Sequence, residues 1–339
     1  MSRLVLHING TGNAWPVPLG EDHPFYNRQH IDELANASVS VIEYDNQRVL
    51  RELLIDAGHG LIQHLLRYRN RIPEAMVITH PHLDHTVSID WISQSYFKKW
   101  KKEKKYPVYC TRECFDGILN TYPHLEPILE NKALYPGRKT AVEEIPGLEL
   151  TAYPVYHGPS AAGSSAILVS AGKSKKVLVT GDLLTPLFRR SDLAEFTGIP
   201  CIVTDANNRF PYPRSNHWSV VSRDPTDRPS ARLEEFIQST GIHKMTSSFK
   251  AENDPEGFFP SLVDEWLPED GIYSVCDLLA VLKPLHAVML HYSGDEDYRY
   301  YNQEKLGIPG LKAWLSEIGK KDCPSVHFLV PLPGDQLEL

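Results

Sequence analysis

Side chains of the types that bind metals crowd into one short segment, THPHLDH at residues 79–85. They are His80, His82, Asp84 and His85. The segment follows the apolar run AMVI, which predicts a strand. Ligands at a strand end can converge on one point, and neutral imidazole and carboxylate suit zinc, iron or manganese. A polar loop that is rich in histidine by chance is the alternative, but the density of ligand types favours a metal site.

Three further candidate ligands stand at the ends of other apolar runs. They are His157 after LTAYPVY, Asp182 after KVLVTG, and His291 after HAVML. Taken alone, each is also explained as a surface histidine or a helix-capping aspartate. Their shared placement, an apolar run followed by a ligand and then by small or turn residues, favours one common site.

The complete series resembles the ligand pattern of the metallo-β-lactamase superfamily. That pattern is an aspartate after an early strand, the motif HxHxDH, a histidine, an aspartate and a final histidine. The chain has Asp56 in LLIDAG and then every ligand in order, so the resemblance spans residues 56–291. It implies a first metal bound by His80, His82 and His157. It implies a second metal bound by Asp84, His85 and His291. Asp182 would bridge both ions, and Asp56 would be a buried residue that steadies the ligand loop.

The resemblance implies a hydrolase with two divalent metal ions, with zinc favoured and manganese or iron left open. Two such ions lower the pKa of a water held between them towards roughly 7 and polarise the substrate. A metal-bound hydroxide is then the expected nucleophile, and Asp84 is expected to orient it as well as to bind metal. The sequence has no G-x-S-x-G motif and no Walker loop, so it gives no sign of a serine nucleophile or a nucleotide-binding P-loop.

Two motifs favour a phosphodiester among the possible substrates. The loop NGTGNAWPVP resembles the first loop of the ribonuclease Z and small phosphodiesterase branch. The segment HPHLDHTVSIDWIS resembles the class II cyclic-nucleotide phosphodiesterase signature, but it departs from that signature at Thr86, Asp90 and Trp91. Hydrolysis of a lactone, ester, thioester or amide on the same metals is the alternative. A non-catalytic metal-binding scaffold is a second alternative.

The segment NNRFPYPRSNHW, residues 207–218, supplies the candidate residues for acid catalysis and substrate binding. His217 is the candidate general acid, by resemblance to a histidine of the phosphodiesterase branch; a locally hydrogen-bonded loop histidine is the alternative. Arg209, Arg214 and Trp218 would contact substrate through charge and stacking, although a dimer contact or a packed cover explains them equally well. Tyr292 is added because it is adjacent to His291.

Charge and composition limit the partners. The net charge of −8 does not favour a large RNA, so a small anionic ester is the expected substrate. The run KKWKKEKK at 98–105 is interpreted as a solvated helix end, with a phosphate-steering patch or RNA-binding arm as the alternative. The five cysteines are odd in number and dispersed, which predicts thiols rather than a disulfide framework. No signal peptide or long apolar segment is evident, so a cytoplasmic protein without membrane contact is expected.

Short apolar runs bounded by Gly, Pro or Asp recur along the chain and alternate with helix-like stretches such as residues 61–71 and 87–100. This mixture predicts an α/β protein. The resemblance implies an αββα sandwich, with two mixed sheets face to face and helices outside. We expect a single domain over residues 1–339 with insertions around 98–146 and 186–229, and the resemblance favours a homodimer.

Overall fold

The computed structural model describes residues 2–14, 35–205, 238–266, 275–291 and 323–339, together with the positions 235, 312–313, 316–317 and 319–321. The strands are β1 Ser2–Gly10, β2 Ser38–Asp45, β3 Arg48–Ile55, β4 Ala75–Val77, β5 Tyr106–Cys110, β6 Leu129–Ala133, β7 Lys139–Ala141, β8 Glu149–Tyr156, β9 Ser165–Ala171, β10 Lys175–Val179, β11 Thr185–Pro186, β12 Cys201–Asp205, β13 His286–Leu290, β14 His327–Leu329 and β15 Gln336–Glu338. The helices are α1 Leu61–Tyr68, α2 Leu83–Thr86, α3 Ile89–Lys99, α4 Arg112–Thr121, α5 Leu193–Phe196, α6 Ile242–Thr246, α7 Phe258–Glu265 and α8 Val275–Leu282.

The strands form two mixed sheets. The first sheet has the order β15-β1-β2-β3-β4-β5-β6, antiparallel as far as β3 and parallel from β3 to β6. The second has the order β11-β8-β9-β10-β12-β13-β14, with β7 paired to β8. It is antiparallel from β11 to β10 and parallel from β10 to β14.

The apolar faces of the two sheets pack against each other. Alternate residues of β1, such as Leu6 and Ile8, meet residues of β9 and β10, such as Ile167 and Val177, in one buried cluster. A second cluster joins the outer face of the first sheet to α1, α3 and α4, and a third joins the second sheet to α5, α6, α7 and α8. The predicted αββα sandwich is therefore confirmed.

The outer face of the first sheet carries a buried polar layer beneath α1. Ser40 donates to Glu52 at 2.7 Å. The guanidinium of Arg69 donates both to Glu52 and to the side-chain oxygen Oδ1 of Asn9, the latter at 2.7 Å. Glu52 is fully buried. The polar residues of β1 and β2 that alternate with the core positions therefore face a helix and one another.

The parallel strands determine where the loops with ligands emerge. The carboxyl ends of parallel neighbours lie at the same edge of a sheet, and β4, β10 and β13 each lead directly into a candidate ligand segment. In the part of the chain that the structure describes, no helix is long and apolar enough to cross a membrane. The single-domain organisation and its insertions stay predictions.

Candidate metal centre

The seven candidate ligands converge from strand ends and one short helix. His80 follows β4, His82 is the residue before α2, and Asp84 and His85 lie within α2. His157, Asp182 and His291 follow β8, β10 and β13. The two sheets thus bring His80 and His291, which are 211 positions apart in sequence, into one site.

The ligand atoms form two adjacent groups. In each group the candidate ligand atoms all lie within 4.8 Å of one another: His80, His82 and His157 in the first, Asp84, His85, Asp182 and His291 in the second. The family resemblance implied the same division of the histidines and Asp84, with Asp182 shared between the two groups.

Asp182 lies between the two groups. One of its carboxylate oxygens, Oδ2, is 3.8 Å from Nε2 of His80, 3.7 Å from Nε2 of His157 and 3.0 Å from Nε2 of His291. The other oxygen, Oδ1, is 3.3 Å from Nε2 of His85. A carboxylate that faces histidines of both groups is placed to bridge two cations.

The donor set fits divalent metal ions. Nε2 of His80 and Nε2 of His85 are buried and have no hydrogen-bond partner among the described residues. Buried polar atoms almost always have partners, so both nitrogens need one. In the first group Nε2 of His157 and Nδ1 of His82 face each other at 3.2 Å. Ring nitrogens directed at a common point beside carboxylates are the arrangement that zinc and similar ions complete.

Asp56 holds the ligand segment from behind. Its carboxylate accepts hydrogen bonds from the backbone N–H and the hydroxyl of Thr79, each at 2.8 Å, and lies 3.0 Å from Nδ1 of His85. A carboxylate on the far nitrogen of a metal-binding histidine fixes its ring orientation and tautomer. Asp56 adopts a φ of 61°, in the left-handed region that a non-glycine residue rarely occupies. These contacts match the structural role that the resemblance implied.

Asp205 fixes the ring of His291 as Asp56 fixes that of His85. Asp205 was not among the residues predicted from the sequence. Its Oδ1 is 3.3 Å from Nδ1 of His291, and its Oδ2 accepts from the backbone N–H of Leu183 at 3.4 Å. Asp205 therefore supports one ligand directly and the backbone beside Asp182. It ends the apolar run CIVTD, so the rule that identified the other strand-end ligands would also have found it.

Two small residues complete the support. Ser160 lies 3.1 Å from Nε2 of His82, the ring nitrogen that points away from the first group. Gly181, immediately before Asp182, has a φ of 60°, and a Cβ there would lie 2.7 Å from the Thr79 side chain. Only glycine fits this conformation and this close approach, so it allows the Asp182 loop to pack on the His80 loop.

Charge and burial act together on the protonation of the cluster. Burial alone raises the pKa values of Asp84 and Asp182, but neighbouring histidine charges outweigh it and hold both well below the usual range. Burial lowers the pKa values of His85 and His291, but the Asp182 carboxylate and its neighbours raise both well above the ordinary value. For His80, burial and the charge of His85 keep the pKa low. The carboxylates are thus ionised, and a cation would replace the protons that His85 and His291 hold.

Five of the predicted site residues lie outside the described part of the chain. They are His217, Arg209, Arg214, Trp218 and Tyr292.

A known family covers six of the seven candidate ligands, all except His291. The family described as "Beta-lactamase superfamily domain" matches residues 51–226, more than half of the chain. The chain belongs to the beta-lactamase superfamily. Membership in this superfamily of metal-dependent hydrolases agrees with the ligand pattern and with the fold. No curated protein matches the chain at a significant level.

Solved structures with the superfamily fold cover the whole chain. A structure titled as a new diphosphatase from the PhnP family is 16% identical, with a TM-score of 0.59, and the match covers 99% of this chain and 98% of that one. The metallo-beta-lactamase fold protein YhfI from Bacillus subtilis is 12% identical, with a TM-score of 0.56 and 99% coverage of both chains. At these identities the likeness shows the shared superfamily fold.

Proposed function

We propose that this chain is a dinuclear metal-dependent phosphodiesterase that acts on a small anionic ester. The observation that carries the proposal is the position of Asp182 between two complete ligand groups. A single group of ligands beside one carboxylate would indicate one metal ion. Two groups of ligands that share a carboxylate fit two metal ions.

The seven ligands would hold two divalent ions, and the abundance of imidazole favours zinc over manganese or iron. When bound, such ions lower the pKa of a water molecule and polarise the electrophilic centre of the substrate. The protein's own residues supply the geometry. Asp56 and Asp205 fix the rings of His85 and His291, and the buried walls keep bulk water from the carboxylates.

Asp84 is the proposed residue that orients the nucleophile. Its Oδ2 is 3.4 Å from Nε2 of His85 and 3.5 Å from Nε2 of His291, so one oxygen faces the second group. Its depressed pKa keeps the carboxylate ionised, as a proton acceptor must be. His217 is proposed to donate a proton to the leaving oxygen, and Arg209, Arg214, Trp218 and Tyr292 to contact the substrate.

The first loop supports a phosphodiester as the substrate. The N–H groups of Thr11 and Gly12 both donate to the carbonyl of Ala35, at 3.0 and 2.9 Å. Asn36 packs against Gly58, where a Cβ would lie 1.8 Å from the carbonyl oxygen of Asp84. Residues 9–14, the described part of the loop that resembles the phosphodiesterase branch, thus contact Ala35, whose neighbour Asn36 packs against Gly58 beside the helix with Asp84. One protein with this fold, from the PhnP family, is a diphosphatase, which supports phosphate chemistry.

The test is hydrolysis of bis(p-nitrophenyl) phosphate beside a lactone and a thioester, with one metal-loaded preparation and a chelated control. We expect turnover of the phosphodiester that chelation abolishes and added metal restores. Turnover of the carbonyl substrates alone would overturn the phosphodiester assignment and keep the metal site. Metal analysis of the same preparation should give two ions per chain. The homodimer and the small-ester substrate stay predictions.

A further inference from the structure

Positive charge concentrates at the carboxyl end of α3. Six of the eight residues 98–105 are lysine, and Glu103 is the one acid among them, in a chain whose net charge is −8. Lys98 and Lys99 lie in the last turn of α3, where the helix dipole favours cations. The four lysines after the helix end have no such gain, and like charges at this density repel one another.

Only part of this charge has a structural use. Nζ of Lys104 lies 4.3 Å from the centre of the Trp100 ring, and Lys105 donates to the carbonyl of Glu126 at 3.0 Å. Lys98, Lys101 and Lys102 are exposed and form no ion pair with any residue that the structure describes. Their charge is therefore available to a partner.

These three lysines line one shallow groove with Trp91, and its volume is about 620 Å³. Gln94 and Ser95 lie between Trp91 and Lys98, at the spacing that puts residues on a single helix face. The Trp91 side chain is 63% exposed, a high value for an aromatic residue of this size. The groove thus has an aromatic ring at one end, the polar side chains and the half-buried Phe97 in the middle, and three cations at the other end.

The turn after α3 fixes two of the lysines. Lys101 and Lys102 have φ values of 52° and 68°, in the left-handed region. Their N–H groups donate to the carbonyls of Lys98 and Phe97, at 3.1 and 2.8 Å. The chain therefore turns back on the helix end in a defined conformation, with both lysines on the groove.

We propose that this groove binds a short single-stranded oligonucleotide. Trp91 stacks on one base, and Lys98, Lys101 and Lys102 contact the phosphates that follow. A flat aromatic face beside a line of cations is how proteins bind single strands without sequence preference. An acidic peptide would pair with the lysines but has no base to cover Trp91. A lipid surface would need several exposed apolar side chains, whereas Trp91 is the one exposed apolar side chain of the groove and Phe97 is half-buried.

The groove lies beside the metal centre, but binding in it is separate from catalysis there. Helix α3 begins four residues after His85 and is about 16 Å long, so a strand in the groove runs away from the centre. The negative total charge would repel a long polyanion beyond the lysines, so the site suits a short strand. Binding of a strand in the groove does not depend on which bond the metal centre cleaves.

The experiment measures fluorescence anisotropy of a short labelled oligodeoxythymidylate with phosphorothioate linkages, titrated with the full chain as purified. The variant with Lys98, Lys101 and Lys102 all changed to Gln should bind at least about tenfold more weakly. Its slope of log affinity against log salt should be smaller in magnitude by about 2. Trp91→Ala should also bind on the order of tenfold more weakly, whereas Trp91→Tyr should keep most of the affinity.

The matched control changes three other exposed lysines, Lys173, Lys244 and Lys283, to Gln. It has the same net charge as the groove variant and should bind within about twofold of the wild type, because salt-screened charges far from the groove act weakly. All variants should unfold at the wild-type temperature, since every changed side chain is exposed.

Equal weakening by both lysine triples would overturn the proposal, because total charge alone would then explain binding. Loss of all binding on chelation would place the strand at the metal centre instead. Competition by polyglutamate or phosphatidylserine vesicles as strong as that by unlabelled oligonucleotide would assign the groove to those partners. None of these measurements uses hydrolysis, so the binding result can be interpreted even if the phosphodiesterase proposal fails.

Discussion

At the scale of single residues, the centre depends on where carboxylates stand relative to histidines. Asp182 faces both ligand groups, whereas Asp56 and Asp205 stand behind one histidine each. These three acids have the same side chain and similar burial but three different roles. Which ring nitrogen each of them faces decides the role, and that is a property of the folded structure.

Removing the shared carboxylate should cost at least one of the two ions. In Asp182→Ala we expect metal content to fall from two ions per chain to one or none, because both groups lose their common oxygen. Turnover should fall by more than the ten- to hundredfold loss that follows removal of a supporting partner. Metal analysis and phosphodiester turnover on the same preparation check this.

The control is His59→Ala, an exposed histidine close to the ligand segment in sequence. It should keep two ions and wild-type turnover. An Asp182→Ala protein that keeps both ions would show that Asp182 is not shared between them.

At the scale of elements, the strands that carry ligands and the helices α1 and α3 were predicted from the sequence, but some elements between them were missed. The strand β5 and the helix α4 had no prediction, because YPVYC is short and contains Pro107, while Gly117 interrupts the helical stretch. Their packing buries Cys110 and Cys114, both free, as predicted for these thiols. The polar layer beneath α1 was also beyond prediction, since alternation along β2 shows which residues share a face but not what covers it.

The ion pair in that layer should matter more than a surface pair. Arg69→Met leaves the Glu52 carboxylate, fully buried, without its nearest cation, whose Nη2 lies 2.9 Å from Oε1. We expect a loss of about 3–5 kcal/mol of unfolding free energy, measured by urea denaturation.

Two further variants test whether the loss in Arg69→Met comes from the buried ion pair. Arg51→Met removes the partly exposed pair with Glu43 and should cost about 0–1 kcal/mol. Adding Glu52→Gln to Arg69→Met should restore part of the lost stability, because the uncompensated buried charge is gone. If Arg69→Met costs no more than Arg51→Met, the buried pair does not stabilise the fold.

At the scale of the whole molecule, burial of polar groups makes stability depend on pH. His7 lies on β1 beneath α1, and burial, assisted by the charge of Arg69, lowers its pKa from 6.5 to about 3. The unfolded chain therefore binds more protons than the folded chain between these two values. Stability is fully present above the unfolded pKa and falls as the pH decreases towards the folded pKa.

His7→Gln should flatten this dependence. Each proton bound only by the unfolded chain changes the free energy of unfolding by about 1.4 kcal/mol per pH unit. As the pH falls from about 6.5 to about 3, the free energy of unfolding should decrease less steeply for the variant than for the wild type. The two slopes should differ by up to about 1.4 kcal/mol per pH unit. Urea denaturation across this range, with the exposed His124→Gln as control, checks it. Parallel curves for wild type and His7→Gln would show that His7 is not kept neutral by folding.

The sequence by itself determined the ligand types, their order and their place at strand ends. These follow from local composition, because apolar runs define the strands and the residue after each run must lie at a sheet edge. That Asp182 is shared between the groups was implied by the family resemblance. Only the tertiary structure decided that Asp205 supports His291 and that Ser160 lies against His82. Such contacts join segments as far apart as Asp84 and His291, which are separated by 207 positions. The order of strands within each sheet and the packing of the two sheets bring them together, and no local pattern encodes that order.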